Sequence, residues 1–432
     1  MMNTRILLAT CLSVAVACSR QAEPYGPVPT PAQMEWQQME MNMFVHFGPN
    51  TFSGLEWGTG LEPEDLFRPT ELDCRQWART AKAAGMKGII VTAKHHDGFC
   101  LWPNPASQHC VKDVDVLKEL SDACREEGLK FGVYISPWDR NDPTYGTPEY
   151  NQKYVETLQS VHNGTYGPIF EHWFDGACGE GPTGKRQEYD WPLFHSTVAS
   201  LQPDAIQFSD VGPGCRWVGN ENGHAGETNW STLNADGYTP GLGAPPTKSL
   251  TEGDEDGTAW IPAEADVSIR PGWFWRSSED NQIKSVEELM DIYLASVGRN
   301  AVLLLNVPAD TRGKIPTADS LPPDGIPRLP GQCFRPQSGR PHFPSAKHMD
   351  GQSEKPVQYG GAAGRHPPGS AHPFVQDRGR YRRRVEGNRP RHHRGLQAHP
   401  PCSGDYSPPH PYHRDGRQGH PHSLWGENLL TI

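Results

Sequence analysis

The sequence predicts an α/β domain of the (β/α)8-like TIM-barrel class over residues 34–320 of a 432-residue chain, followed by a tail without a core. Three observations predict it. Short β-rich apolar runs alternate with amphipathic helical stretches along this whole segment, the pattern of parallel strands joined by crossover helices. Polar residues, among them His46, His95, His96, Tyr134, Asp175 and Asp210, gather where the apolar runs end. In a barrel those ends face one mouth. The Gly-rich first turn expected of an open doubly wound sheet is missing.

The elements follow in order. MFVHFG (43–48) is the first strand run, and CRQWARTAKAAG (74–85) has the periodicity of the helix that leads to GIIVTA (88–93). VDVLKELSDACREEG (114–128) is a second amphipathic helix, followed by the strand run KFGVYIS (130–136). YNQKYVETLQSV (150–161) then connects to IFEHWFD (169–175), and WPLFHSTVASLQ (191–202) to AIQFSD (205–210). After a long irregular stretch come the strand run DVSIR (266–270), the helix VEELMDIYLASVG (286–298) and the strand run NAVLLLNV (300–307). Helices and strands are separated here by the 3.6- and 2-residue periods of their apolar positions.

The flanks read differently. Residues 1–18 have Arg5, an apolar stretch from Ile6 to Val16 and the small-residue site Ala17-Cys18, as in a signal peptide; the stretch is too short to span a bilayer as a mature helix. A cysteine at that site suggests a lipoprotein signal with Cys18 lipidated, the alternative being an ordinary signal peptide. Both readings export the protein, to the periplasm or to an outer-membrane anchor. Residues 19–33 are expected to form a Pro-rich tether.

From Leu321 onward the chain holds 16 Lys+Arg against 8 Asp+Glu, a charge of +8, so the preceding residues carry −11 − 8 = −19. Residues 321–432 also hold 11 of the 19 His and 18 of the 42 Pro, without helical or strand periodicity, and are expected to be largely disordered. A basic arm for nucleic acid or metal is one reading of that composition. A slipped reading frame after residues 318–320 is the more economical one, and no nucleic-acid partner is expected. Cys74, Cys100, Cys110, Cys124, Cys178 and Cys215 lack CxxC or zinc-type spacing and read as buried thiols, with room for one disulfide.

Two motifs carry the candidate chemistry. In HWFDG (172–176) an aspartate follows three bulky residues at the end of a buried strand and precedes a glycine. Asp175 is thus either a helix cap or a nucleophile held rigidly at the mouth, and the loop sequence GACGEGPTG after it favours the nucleophile. A carboxylate nucleophile at a sugar carbon needs a second carboxyl to protonate the leaving oxygen. Glu221 in RWVGNENG is the first candidate, with Glu227, Glu252, Glu255 and Glu264 as rivals. Tryptophans beside polar loops, including Trp57, Trp138, Trp173, Trp217 and Trp273, suit the stacking of sugar rings.

KHHDGF (94–99) presents two adjacent imidazoles. Adjacent strand residues point to opposite faces, so His95 and His96 make an awkward metal pair and enter one site only where the strand ends or bulges. No HxH or HExxH completes a ligand set. The expectation is therefore a site without metal or cofactor, in which both histidines grip hydroxyls.

FVHFGPNTF with LEWG, then AKHHDGFCLW, FGVYIS, HWFDGA, RWVGNE and PAEADVSIRPGWFW, in this order, closely resemble the alpha-L-fucosidase family, glycoside hydrolase family 29, over about residues 34–318. The resemblance implies a retaining hydrolase with Asp175 as nucleophile and Glu221 as acid/base. It further implies that His46, Glu56, Trp57, His95, His96, Tyr134 and Trp173 hold or flank the fucose of a fucosylated oligosaccharide or glycoconjugate. Arg216 and an apolar wall from Trp273 complete the set. The RWVGNE subgroup resembles enzymes that act on α-1,3/1,4 linkages. Two other classes stay open: a noncatalytic fucose-binding protein and a metal-dependent barrel hydrolase. The family normally continues into a β-sandwich, which puts the stability of a barrel without one in question.

Overall fold

The computed structural model describes residues 26–320. Eight parallel strands close into a barrel: β1 (Met41–Val45), β2 (Gly88–Lys94), β3 (Lys130–Ile135), β4 (Ile169–Trp173), β5 (Ile206–Ser209), β6 (Cys215–Trp217), then β9 (Ala263–Ser268) and β10 (Ala301–Asn306). The intervening β7 (Thr232–Leu233) and β8 (Ala259–Trp260) form a separate antiparallel ribbon. Closure comes from β10 pairing with β1, Met41 opposite Leu303 and Phe44 opposite Asn306. The predicted barrel is thus present.

Helices Cys74–Ala83, Val116–Glu127, Pro148–His162, Trp191–Leu201 and Val286–Ser296 lie within or across the predicted helical stretches. The core between helices and sheet is built from residues such as Trp77, Ile89, Val91, Leu117, Leu120, Val133, Leu158 and Phe194, all buried. Asp73, Asp115, Asp190 and Ser285 each cap a helix by accepting a backbone N–H from three residues on, which satisfies one of the donors a first turn leaves open.

Four expectations are corrected. Residues 31–33, assigned to the tether, begin a helix over Pro31–Gln37 with a capping box between Thr30 and Gln33. Gln33 Nε2 donates to the carbonyls of Gly214 and Trp260 at 2.8 Å each, which seats this helix across the base of the barrel. The strand β6 lies inside a stretch taken as loop and follows β5 without an intervening helix. The expected strand at 266–270 begins earlier, at Ala263. All six cysteines in the described residues are free, five of them buried, so the one disulfide allowed for does not form there. The signal peptide with Cys18 and the tail from 321 lie outside the described residues.

Candidate active site

The eight strand ends bring the motifs to one mouth. Asp175 stands two residues beyond β4 with a side chain only 16% exposed. Its Oδ2 accepts the hydroxyl proton of Tyr134, on β3, at 2.7 Å, and its Oδ1 accepts the Ala177 N–H at 2.7 Å. Both oxygens are thereby aimed. The Asx-type bond to Ala177 also shows why a capping aspartate was a fair rival: the side chain does hold its own loop, but no helix starts there.

His95 and His96 enter the site together, because β2 ends at Lys94 and its register shifts between Thr92 and Lys94. Their ring centroids are 4.1 Å apart. His96 Nε2 is 3.8 Å from Asp175 Oδ2, and its Nδ1 bonds Ser136 Oγ at 2.8 Å. Burial outweighs the attraction of Asp175 and holds the His96 pKa down at about 4, so the pair is a neutral imidazole beside a carboxylate. His95 is pushed further down, by burial and then by its His96 and His46 neighbours, and stacks against Tyr134 at 5.7 Å.

His46, just past β1, is lowered to about 3 by burial. Its Nδ1 lies 2.9 Å from Asn306 Oδ1. Asn306 Nδ2 donates to Ser268 Oγ and the Trp273 carbonyl, so Oδ1 is the acceptor and His46 carries its proton on Nδ1, leaving Nε2 as an acceptor. Trp273 packs on His46 at 5.0 Å and takes its backbone position from Glu56, whose Oε1 accepts the Trp273 N–H at 2.7 Å. Arg276 holds the other oxygen of Glu56. Trp57, 36% exposed, leans on Trp138 at 6.0 Å, and Trp138 in turn covers His96 at 4.7 Å. Trp173 stacks between Tyr134 at 5.3 Å and Phe208 at 3.9 Å.

Glu221 follows β6 on a loop that is stitched to β9 by the Asn222–Val267 bridge. Crowding in the mouth, then the charge of Asp175, push its carboxyl above the ordinary range, while a hydrogen bond from Trp273 opposes them. The side chain still reaches solvent. A carboxyl pushed above its ordinary range in the same mouth as the hydrogen-bonded Asp175 is the direction of electrostatic split that acid-assisted displacement requires.

Arg216 is not in this constellation. It is fully buried, its guanidinium bonded to the carbonyls of Leu250, Ile261 and Trp230 and to Asn229 Oδ1, so it ties the 229–261 insertion to the barrel. Of the rival glutamates, Glu264 lies inside the barrel under Trp173. Two further carboxyls lie here, Asp210, which the sequence places at the mouth without a role, and Asp266, which it does not single out. Asp210, past β5, is buried; burial and the charge of Asp175 lift it to about 7. Asp266, on β9, accepts the Trp217 indole at 2.8 Å, and burial with the charge of Glu221 raises it well above the ordinary range. The run-end position of Asp210 was the available signal for the first. For Asp266 it was the alternation of Glu264, Asp266 and Ser268 on one face of β9.

The sequence model described as Alpha-L-fucosidase matches residues 24–321. Alpha-L-fucosidase 1 of Arabidopsis thaliana is 46% identical over 304 residues, 68% of this chain and 59% of the relative. Among solved structures, a glycoside hydrolase 29 family member from an unknown rumen bacterium is 47% identical, with a TM-score of 0.66, over 71% of this chain and 57% of that one. A Ruminococcus gnavus GH29 fucosidase in complex with fucose is 34% identical, with a TM-score of 0.60, over 69% of this chain and 67% of that one. The chain spans about three fifths of the length of the Arabidopsis thaliana relative and of a similar one from Oryza sativa subsp. japonica. Fold, motif order and similarity agree: the chain belongs to the alpha-L-fucosidase family, glycoside hydrolase family 29.

Proposed function

We propose that this chain is an exo-acting, retaining α-L-fucosidase that releases L-fucose from α-1,3/1,4-fucosylated glycans by double displacement. The observation that carries the reading is the double fixation of Asp175: Tyr134 O–H on one oxygen, Ala177 N–H on the other, and a neutral His96 at 3.8 Å. In the first step an Asp175 oxygen bonds to the anomeric carbon, the bond to the glycan oxygen breaks, and that oxygen takes the proton of Glu221. In the second, Glu221 accepts a proton from water, whose oxygen bonds to the anomeric carbon as the Asp175 ester breaks. His46 Nε2, His95 and His96 offer neutral hydrogen-bonding groups to hydroxyls, and Trp273 offers a flat apolar wall to the methyl group of fucose. All the groups in these steps are side chains of this chain.

The α-1,3/1,4 preference rests on the RWVGNE resemblance, and export with a lipid on Cys18 rests on the N-terminal sequence. Incubation with 2'-linked and with 3/4-linked fucosylated oligosaccharides tests both activity and linkage. Free fucose from the 3/4-linked set, first appearing as the α-anomer by proton NMR, is expected. Binding without release would leave a fucose-binding protein, and first release of the β-anomer would remove the double displacement. Palmitate labelling that survives in a Cys18→Ser variant would exclude the lipid anchor.

A further inference from the structure

Below the mouth, the barrel interior holds two glutamates that the displacement steps do not use. Glu171 on β4 and Glu264 on β9 are both fully buried. Glu171 Oε2 accepts the indole N–H of Trp36 at 2.7 Å, and Glu264 Oε2 accepts that of Trp173 at 3.0 Å. One oxygen of each and the sulfur of Cys215 lie within 4.8 Å of one another. Glu264 Oε1 is buried without a hydrogen-bond partner, within reach of a proton carried by Glu171.

Two ionised carboxylates this close and fully buried would repel with no donor between them, whereas a proton on one supplies the donor that the orphaned oxygen lacks. No cation offers itself instead. Arg216, beside Cys215 in sequence, turns its guanidinium to the carbonyls of the outer insertion. The groups facing the pair are the indoles of Trp36 and Trp173, the Cys215 thiol and the Asp266 carboxyl, none of them positive. Burial lifts Glu171 to about 7, lifts Glu264 well above its ordinary range, and does the same to the thiol. Two buried like charges at contact distance resolve by retaining one proton.

The consequence reaches the mouth through two side chains. Glu264 fixes the Trp173 indole, Trp173 stacks on Tyr134 at 5.3 Å, and Tyr134 holds Asp175 at 2.7 Å. We propose that Glu171 and Glu264 share a single proton across the base of the barrel and act, through Trp173 and Tyr134, as the positioning pair for the Asp175 carboxylate. The positioning half rests on Asp175 being the nucleophile; the shared proton does not.

The test uses the full chain and four variants. Glu264→Gln presents an oxygen to Trp173 and an N–H to Glu171, so kcat should stay within about threefold of the parent. Glu171→Gln should be tolerated likewise, with Glu264 ionised as the acceptor. In the double Gln variant two amides meet with like groups or present N–H to an indole. There kcat should fall about a hundredfold, the scale of an ångström of misplacement, with KM little changed. Glu264→Leu, which removes the acceptor for Trp173 at similar volume, should lose kcat in the same way if the double variant does not fold. Independently of activity, the infrared difference spectrum of parent minus Glu264→Gln at neutral pH should show one protonated-carboxyl band, the bands of the other raised carboxyls such as Asp266 cancelling between the two. Glu264→Gln as impaired as the double variant, or no such band, would overturn the proposal. So would a stoichiometric metal in the purified chain that Cys215→Ser releases. An Asp175→Ala enzyme with full turnover would instead sink the functional reading and leave the infrared band as the test of the proton.

Discussion

Asp97, the acid of the HHDGF stretch, offers a quantitative test of how the site is built. It is 1% exposed; Oδ1 accepts the Phe99 N–H at 2.9 Å and Oδ2 has no partner. Burial, with the Phe99 bond opposing it, raises its pKa from 3.8 to about 7. Because the folded form binds this proton more tightly than the unfolded chain does, the parent loses stability as pH rises from 3.8 through about 7, and no further above that. The gap between 3.8 and 7 corresponds to roughly 4 kcal/mol at ~1.4 kcal/mol per pH unit. Asp97→Asn keeps the acceptor for Phe99 and cannot ionise. The variant should therefore match the parent near pH 4 and exceed it by roughly 4 kcal/mol near pH 8, on the order of 10 °C in Tm. Urea titrations followed by tryptophan fluorescence across that range measure it. A constant difference at all pH values, or a variant less stable than the parent near pH 8, would refute the burial argument.

The buried histidines work in the opposite direction. His162 is held at about 3 and His195 at about 4 by burial, so stability is full above the unfolded value of 6.5 and is lost as pH falls toward 3–4. Replacing His162 by Gln should flatten the acid limb of Tm against pH; an unchanged slope counts against it. Asp175→Ala should abolish turnover of a 3/4-linked glycan while Tm stays within a few degrees; residual activity near the parent level would exclude the nucleophile role. Glu221→Gln should lose activity on glycans by on the order of 10²–10⁴-fold and far less on fucosyl fluoride, which needs no proton for departure. Equal loss on both substrates would remove the acid role. Arg216→Lys should lower Tm, since one ammonium cannot serve four acceptors, and leave KM unchanged. A raised KM at unchanged Tm would return Arg216 to the site.

The strands that sequence reading finds are those with β-branched runs, such as GIIVTA, and the helices those with a clean apolar stripe. What escapes it has a physical reason in each case. β6 is three residues, Cys215–Trp217, with no crossover helix before it, so neither length nor alternation marks it. The helix from Pro31 did carry a signal, Thr30 three residues before Gln33 with Pro31 in the first helical position, hidden in a Pro-rich context. For HHDGF, the geometric rule that neighbouring strand residues diverge led to the right condition, since the strand ends at Lys94. Glu56 was legible as a site residue but not its work, because its partners Trp273 and Arg276 are more than 200 positions away. Arg216 looked functional for its motif neighbours alone; only the carbonyls around it reveal its direction.

The question of whether the barrel stands without a further domain turns on edges and exposed apolar surface. β10 pairs with β1 over four residues, so the sheet has no free edge to cover. Arg270, fully buried, is clamped by Asp319 at 2.6 Å with both side chains at 0% exposure, which fastens the last described residues onto the loop after β9. Removing one partner of such a pair costs about 3–5 kcal/mol, much of a domain's stability. Leu55, Trp57 and Leu61 are exposed on a single loop beside the mouth and Trp230, Tyr238 and Leu242 on the 229–261 insertion, while Val28 precedes the first helix and Met34, Leu201 and Leu294 stand singly on helices. Isolated apolar residues on helices are ordinary surface. The grouped ones on the loop border the mouth, and larger exposed apolar groupings mark surfaces that contact something else.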